Sequence, residues 1–567
     1  MTELERWEKE AQKNKELKKQ LSLINKTELE EAFSGNLSFG TGGMRGIMGL
    51  GPNRFNIYTM RKANYGYGKY LLKRYKSEVY RGVVISHDNR ENSRNYAFES
   101  AKVLGALGIK CFMFDDLRST PELSFSVRYL NAIGGIMITA SHNPPKYNGY
   151  KIYDEDGCQL TPQYADEVIK EVNAVEDIFS IPTKEIDSLK ALGLFKMLDH
   201  EIDDEFIAKA KSIQLFPDLE KKVKLVYTPL HGCGAEPAER ILTECGYDAS
   251  FVKEQFVHDP AFKTVKSPNP EETKAFELAE QLGKKVKADI LIATDPDADR
   301  VGLAVWDSKK YVYLTGNQTG ALLLYFRLSQ EKKMKILPKK GRVFDTIVTS
   351  SLGSDIARSF GFKVTSTLTG FKFIGEQAKL LEGTKEEFIF GYEESYGYII
   401  KDYVRDKDSI QSLLAITEMA NYYLVKENRN LIDVLNEVYE KYGYYLNRTK
   451  SYFFEGIKGP ETMSKIMDFY RKEDINDFHG YRVLVKEDYE NKTRLQYSTK
   501  VKSGLSLPKS NVIKYYLNGV GWIVLRPSGT EPKLKVYIES KAKNMEEADR
   551  IITEIFEVID AKIGEYK

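Results

Sequence analysis

Cysteine is scarce. The 567 residues hold four, Cys111, Cys158, Cys233 and Cys245, and none are spaced as CxxC. That excludes a disulfide framework and a structural zinc site, and it fits free thiols in a reducing compartment. An excess of one charge is also lacking. Eighty-four Lys and Arg face 82 Asp and Glu, a net charge of +2. Nothing global calls for nucleic acid or an anionic membrane as a partner, so any anion recognition must be local. No apolar run approaches the ~18 residues needed to span a bilayer. The start, Met1-Thr2-Glu3-Leu4-Glu5-Arg6, lacks the apolar stretch of a signal peptide. The expectation is a soluble, cytoplasmic chain. No GxxxxGK[ST] occurs, which disfavours a P-loop nucleotidase. Of six histidines, only His142 lies in a marked loop. His87 and His231 follow strands and read as structural, so a Ser-His-Asp hydrolase triad is poorly supported.

What is present is ordinary globular composition, 29% charged and 42% hydrophobic. At about 150 residues per domain, the length predicts roughly four domains. Residues 3–33 read as a mostly solvated helical arm, and the glycine-rich Phe39–Gly46 follows. A pattern then occurs three times. Each copy has a strand, a helix ending at a glycine, a second strand, and a third strand running into a polar loop. The first strands are Arg81–Ser86, Val223–Tyr227 and Arg342–Val348. The helices end at Gly108, Gly246 and Gly361, where a helix C′ residue needs positive φ. The third strands are Gly135–Ala140, Asp289–Thr294 and Glu387–Phe390. Short apolar strands alternating with helices predict three tandem α/β/α domains of similar topology. The last section predicts a smaller α+β domain, with a hairpin at Asn518-Gly519 and a helix over about 545–563. The expected boundaries are 1–205, 206–320, 321–450 and 451–567, around a central cleft. In open α/β sheets ligands collect beyond the carboxyl ends of strands, so the three polar loops are where chemistry is expected.

The first loop, Thr139-Ala140-Ser141-His142-Asn143-Pro144-Pro145, presents a serine in a rigid turn. Read alone it is equally a structural Asn-Pro turn. A serine hydroxyl needs help to react, from a metal or from a phosphate that it carries and donates. The second loop, Asp295-Pro296-Asp297-Ala298-Asp299-Arg300, aims three carboxylates at one point, as a hard cation demands. An EF-hand is excluded, because Arg300 stands where its glycine belongs and Trp306 where its last carboxylate does. Magnesium is favoured over calcium, since it suits few carboxylates plus a phosphate oxygen. The third loop, Gly391-Tyr392-Glu393-Glu394-Ser395-Tyr396-Gly397, suits either sugar hydroxyls or a helix N-terminus. Downstream, Arg405-Asp406-Lys407-Asp408 adds cations near the same strand end. A fourth segment, Arg526-Pro527-Ser528-Gly529-Thr530-Glu531-Pro532-Lys533, is composed as an anion cradle.

At these four loops the sequence resembles the α-D-phosphohexomutase superfamily: phosphoserine, metal, sugar and phosphate loops, in that order, over nearly the whole chain. Glu393-Glu394-Ser395 is similar to the glucose-preferring form of the sugar loop. Phe39–Gly46, Thr369–Gly375 and Gly391–Gly397 resemble the bacterial α-phosphoglucomutase branch, which is related to phosphopentomutase. Some relatives carry a histidine where this chain has about Gly397; Lys407 resembles the lysine that glucose-type members use instead.

The resemblance implies a phosphoglucomutase that interconverts glucose 1-phosphate and glucose 6-phosphate. It implies a phosphoserine at Ser141 and a glucose 1,6-bisphosphate intermediate that also serves as activator. The alternatives are phosphopentomutase or phosphomannomutase activity on the same scaffold. Mg²⁺ is expected on Asp295, Asp297, Asp299 and Ser141. Lys151 is the candidate general base, with His142, Arg45 and Lys407 assisting; that role needs a depressed lysine pKa. Substrate contacts are expected from Glu393, Ser395, Lys372, Arg405, Arg526, Ser528, Gly529, Thr530 and Lys533. The partners are small sugar phosphates, with no nucleic acid and no membrane, for a monomer or homodimer.

Overall fold

Buried β-branched runs punctuated by glycine are the local signal that builds this chain, and a computed structural model shows where they lead. It describes residues 2–40, 42–454, 458–528 and 533–566. The chain divides into two compact units. One comprises Met1–Thr319 and Phe371–Asn430, the other Gly320–Gly370 and Leu431–Lys567.

In the first unit, the first repeat has strands Gly43–Ile47 (β1), Val83–His87 (β2), Cys111–Phe114 (β3), Gly134–Ile138 (β4), Tyr147–Tyr153 (β5) and Phe195–Leu198 (β6). They form one sheet in the order β1-β5-β4-β2-β3-β6. β4, β2, β3 and β6 are parallel; β5 returns antiparallel beside β4, and β1 pairs antiparallel with β5. The second repeat has Lys224–Thr228 (β7), Asp248–Phe251 (β8), Ile290–Thr294 (β9), Val301–Trp306 (β10) and Tyr311–Leu314 (β11), ordered β11-β10-β9-β7-β8. Here too the third strand lies beside the first, and the chain returns antiparallel as β10.

The third repeat is divided between the units. Gly341–Thr346 (β12) and Lys363–Thr367 (β13) pair in parallel in the second unit. Glu387–Glu393 (β14) and Gly397–Ile399 (β15) form an antiparallel hairpin in the first. The helix-ending glycines take positive φ as expected: 81° at Gly108, 76° at Gly246 and 87° at Gly361. β2, β4 and β9 are buried along their whole length. Each fully buried Val, Ile or Leu there contributes about 1.5–3 kcal/mol relative to exposure.

The N-terminal arm is helical and mostly exposed, as expected. It is three short helices, Glu3–Ala11, Lys15–Leu23 and Lys26–Phe33, each opened by a side-chain cap from Thr2, Asn14 or Asn25. Trp7 is completely buried, with edge-on contacts to Phe33, Tyr58 and Phe179. Trp7, with Ala11 and Leu17 buried beside it, packs the arm against Leu50, Tyr58 and Phe179.

In the second unit, the C-terminal sheet is antiparallel. Its order is Tyr444–Phe453, Lys533–Ala542, Gly521–Pro527, Ile513–Leu517, Tyr481–Asp488, Thr493–Gln496 and Lys502–Gly504. Helix Met545–Gly564 buries Ile551, Ile552, Ile555 and Ile559 in the core under it. The expected hairpin is present, but Leu517 pairs with Gly521, so its connection is three residues rather than two. Among the described residues, no helix is long and apolar enough to cross a membrane.

Candidate active site

Three hairpins carry the loops picked out in the sequence, and they occupy the same place in each repeat. β4–β5 carries Ser141, β9–β10 carries Asp295–Arg300, and β14–β15 carries Glu394–Tyr396. In each, a non-glycine residue takes a left-handed conformation: Ser141 at φ 51°, Ala298 at 54° and Tyr396 at 64°. Such residues are uncommon and persist where surrounding bonds hold them. The Ser141 amide donates to Thr139 Oγ1 at 2.8 Å, and its carbonyl accepts from Arg90. Arg90 also donates to the carbonyls of Asn143, Pro144 and Tyr147, lies 3.2 Å from Asp88 and stacks over Phe262. A buried guanidinium therefore clamps the whole serine loop. Sequence reasoning missed it; the only signal was its place at the carboxyl end of β2, beside His87. His87 itself is buried with Nδ1 on the Asp88 carbonyl, and His231 is buried between Val257 and Thr264.

Ser141 Oγ donates to Asp295 Oδ2 at 2.5 Å and lies 3.2 Å from His142 Nδ1. Burial, with Arg300 and Arg45 nearby, pushes the His142 imidazole well below its usual range, so the ring is neutral. Arg45, exposed on β1, reaches Asn143 Oδ1 at 2.6 Å.

All three aspartates are buried; Asp295 has both oxygens hydrogen-bonded, while Asp297 and Asp299 each have one. Asp295 Oδ1 accepts from the amides of Asp299 and Arg300, leaving Oδ2 toward Ser141. Asp297 Oδ2 accepts from Thr120 Oγ1 at 3.0 Å and Lys151 Nζ at 2.7 Å. Asp299 Oδ2 takes Lys407 at 3.2 Å and Lys151 at 3.4 Å. The remaining Oδ1 atoms of Asp297 and Asp299 are buried without a hydrogen-bond partner. Ligand oxygens from all three lie within 4.8 Å of one another. Buried unpaired carboxylate oxygens are costly, and converging ones fit a small hard cation. Burial and the two neighbouring carboxylates hold Asp295 well above the usual range. Burial opposes ionisation of Asp297 too, but Lys151, Asp295 and Lys407 together outweigh it and hold that group low.

Lys151 departs from expectation. Burial lowers its pKa, but Asp297 and Asp299 raise it by more, so the net shift is upward rather than the depression a general base needs. Lys407 is raised for the same reason, by Asp299 and Asp406 against burial. Its stem runs across Gly397, where a Cβ would sit 2.0 Å from Lys407 Cδ. The glycine is thus what lets Lys407 enter.

Glu393 is buried at the end of β14, opposite Gly397, and its charge acts on both Lys407 and Arg300. Ser395 is half-buried in the turn. The β9–β10 and β14–β15 hairpins are joined where the Val301 amide donates to the Tyr396 carbonyl. Lys372 opens helix Phe371–Lys379, half-buried, with its ammonium over the Phe373 ring. Arg405 is a correction. Its side chain is completely buried and paired with Glu382 and Asp402, so it braces the fold instead of facing a ligand. In the second unit, Arg526 lies on strand Gly521–Pro527 opposite Lys535, and the Ser528 amide donates to the Lys533 carbonyl at 2.8 Å. Gly529 and Thr530 lie outside the described residues.

Family models cover most of the chain. Those described as phosphoglucomutase/phosphomannomutase, alpha/beta/alpha domains I, II and III match residues 36–178, 204–308 and 315–442, and the C-terminal domain matches 483–558. The chain belongs to this phosphohexomutase family. Among its relatives, phosphoglucomutases of Staphylococcus haemolyticus and Staphylococcus saprophyticus are each 37% identical to it. The first alignment covers 92% of this chain and 94% of the relative, the second 94% of both. The fold is shared with a Paramecium phosphoglucomutase, parafusin, in its open form. That match has a TM-score of 0.69 at 18% identity, covering 95% of this chain and 96% of the other.

Proposed function

We propose that this chain is a phosphoglucomutase that interconverts glucose 1-phosphate and glucose 6-phosphate through a phosphoserine at Ser141. The observation that carries the reading is the Ser141 hydroxyl held 2.5 Å from Asp295, at the edge of three converging buried carboxylates. Relatives at 35–37% identity over most of the chain support it. In the first half-reaction the bond between phosphorus and Ser141 Oγ breaks. A bond forms to the sugar 6-hydroxyl oxygen; the proton that this hydroxyl loses is balanced by the one that restores the Ser141 hydroxyl. The resulting glucose 1,6-bisphosphate returns its 1-phosphate to Ser141, so the same compound charges an unphosphorylated enzyme as an activator.

Mg²⁺ held by Asp295, Asp297, Asp299 and the seryl group supplies charge neutralisation to the transferring phosphoryl group. The chain's own residues do the rest. Arg90 and Thr139 fix the serine backbone. Glu393 and Ser395 bind sugar hydroxyls. Arg526, Ser528, Gly529, Thr530 and Lys533 take the phosphate that is not being transferred, and Lys372 adds charge near the sugar. Lys151 and Lys407 are cationic donors held on Asp297 and Asp299. For Lys151 to accept the proton, its ammonium must first be freed from Asp297 and Asp299.

Coupled assays with glucose, mannose and ribose 1-phosphates test the reading. The expected result is the highest kcat/KM for glucose 1-phosphate. A higher value for ribose 1-phosphate would make the chain a phosphopentomutase, and no turnover of any of the three would reject mutase function.

A further inference from the structure

Asp297 is gripped by a residue that no motif marks. Thr120 is completely buried and makes two hydrogen bonds to that one aspartate. Its hydroxyl donates to Asp297 Oδ2 at 3.0 Å, and its amide donates to the Asp297 carbonyl at 2.9 Å. The two residues are 177 positions apart and belong to different repeats. Thr120 is the first residue of helix Thr120–Tyr129, capped by Ser119, with proline next in the chain. Its amide, one of the free donors at a helix start, is satisfied by the Asp297 carbonyl, and the helix dipole favours the Asp297 carboxylate that the hydroxyl meets.

The threonine is itself fixed from behind. The Arg118 guanidinium makes a two-pronged pair with Asp203, 2.9 Å on each arm, and the Arg118 carbonyl accepts from Ser86 Oγ at 2.9 Å. Ser86 lies on β2 and Asp203 on helix Glu201–Lys211. Backbone and side chain around Thr120 have little freedom to follow Asp297 if that aspartate moves.

We infer that Thr120 is a positioning residue for the metal site. By holding Oδ2 together with Lys151, its hydroxyl fixes the carboxylate of Asp297, whose Oδ1 is buried without a hydrogen-bond partner, and it ties the Asp295–Arg300 loop to the repeat that carries Ser141. This rests on the reading of Asp295, Asp297 and Asp299 as a divalent-cation site. Partners of metal ligands that set ligand orientation typically contribute about 10–100-fold in metal affinity.

The test is a calorimetric titration of the full-length, EDTA-stripped protein with Mn²⁺. Thr120→Val keeps the shape and the amide bond but removes the hydroxyl, and about tenfold or greater weakening of Mn²⁺ binding is expected. Thr120→Ser keeps both bonds and should stay within about threefold of wild type. Circular dichroism checks the fold; if the valine variant does not fold, Thr120→Ala carries the same expectation. Wild-type affinity in the valine or alanine variant would overturn the proposal, as would a serine variant as weak as the valine one. The underlying site is tested separately. Asp297→Asn should abolish tight Mn²⁺ binding, and its retention would overturn the metal assignment whatever Thr120 does.

Discussion

Ser141 is held in a backbone conformation that costs an L-residue roughly 1–2 kcal/mol. Arg90 and Thr139 pin the peptide groups on either side of it, so its hydroxyl is aimed before any substrate arrives. Such preorganisation favours transfer chemistry, because the reacting oxygen needs no rearrangement. The same economy of position governs Gly397. Any Cβ there meets the Lys407 stem, which stacks over Phe371 and reaches Asp299. Gly397→Ala should therefore displace Lys407. The expectation is a kcat reduced by up to about 100-fold, with little change in the thermal midpoint. Steady-state kinetics beside a melting curve measure both. An unchanged kcat would remove Lys407 from the chemistry.

Three hairpins in equivalent positions account for the site in the first unit, and the sequence shows much of this. The strand–helix–strand order of each repeat, the helix-ending glycines and the polar loops after β4, β9 and β14 follow from apolar runs and punctuation. The antiparallel return after each loop does not, because β5, β10 and β15 have no local mark of direction. Thr120 and Arg90 were hidden for a related reason: both act on loops distant in sequence, Thr120 across 177 residues. Arg405 misled because a charged cluster looks the same whether it faces a ligand or pairs internally. The carboxylate partners of Lys151 were equally hidden, because they come from another repeat.

In the second unit, strand Ile513–Leu517 buries Lys514, whose ammonium donates to the Ile347 carbonyl at 2.6 Å and lies over Trp522 and Tyr516. Burial lowers its pKa from 10.5 to about 8, against the opposing pull of Glu539, Glu487 and Asp345. Below about pH 8 the lysine is charged in both folded and unfolded states, and the cost of burying that charge is constant. From about 8 to 10.5 the folded form has released a proton that the unfolded form still holds, so stability rises with pH. The full span is on the order of 3 kcal/mol. Denaturant unfolding of wild type and Lys514→Met should show wild type gaining on the variant as pH rises through this window. Parallel profiles would contradict the buried ammonium.

Over the whole molecule, the near balance of 84 basic and 82 acidic residues conceals local segregation. A metal loop collects carboxylates, while the Arg526–Lys533 segment collects cations and hydroxyls. Overall charge is therefore a poor guide to such a chain. The account depends on Ser141 carrying the phosphoryl group that moves. The most direct measurement is to charge the protein with radiolabelled glucose 1,6-bisphosphate, locate the label by peptide mapping, and then add unlabelled glucose 1-phosphate. The label is predicted on the Ser141 peptide, passing to sugar phosphate when the chase is added, with neither step in Ser141→Ala and none of the transfer when EDTA is present. Label on another residue, or full turnover by Ser141→Ala, would contradict it.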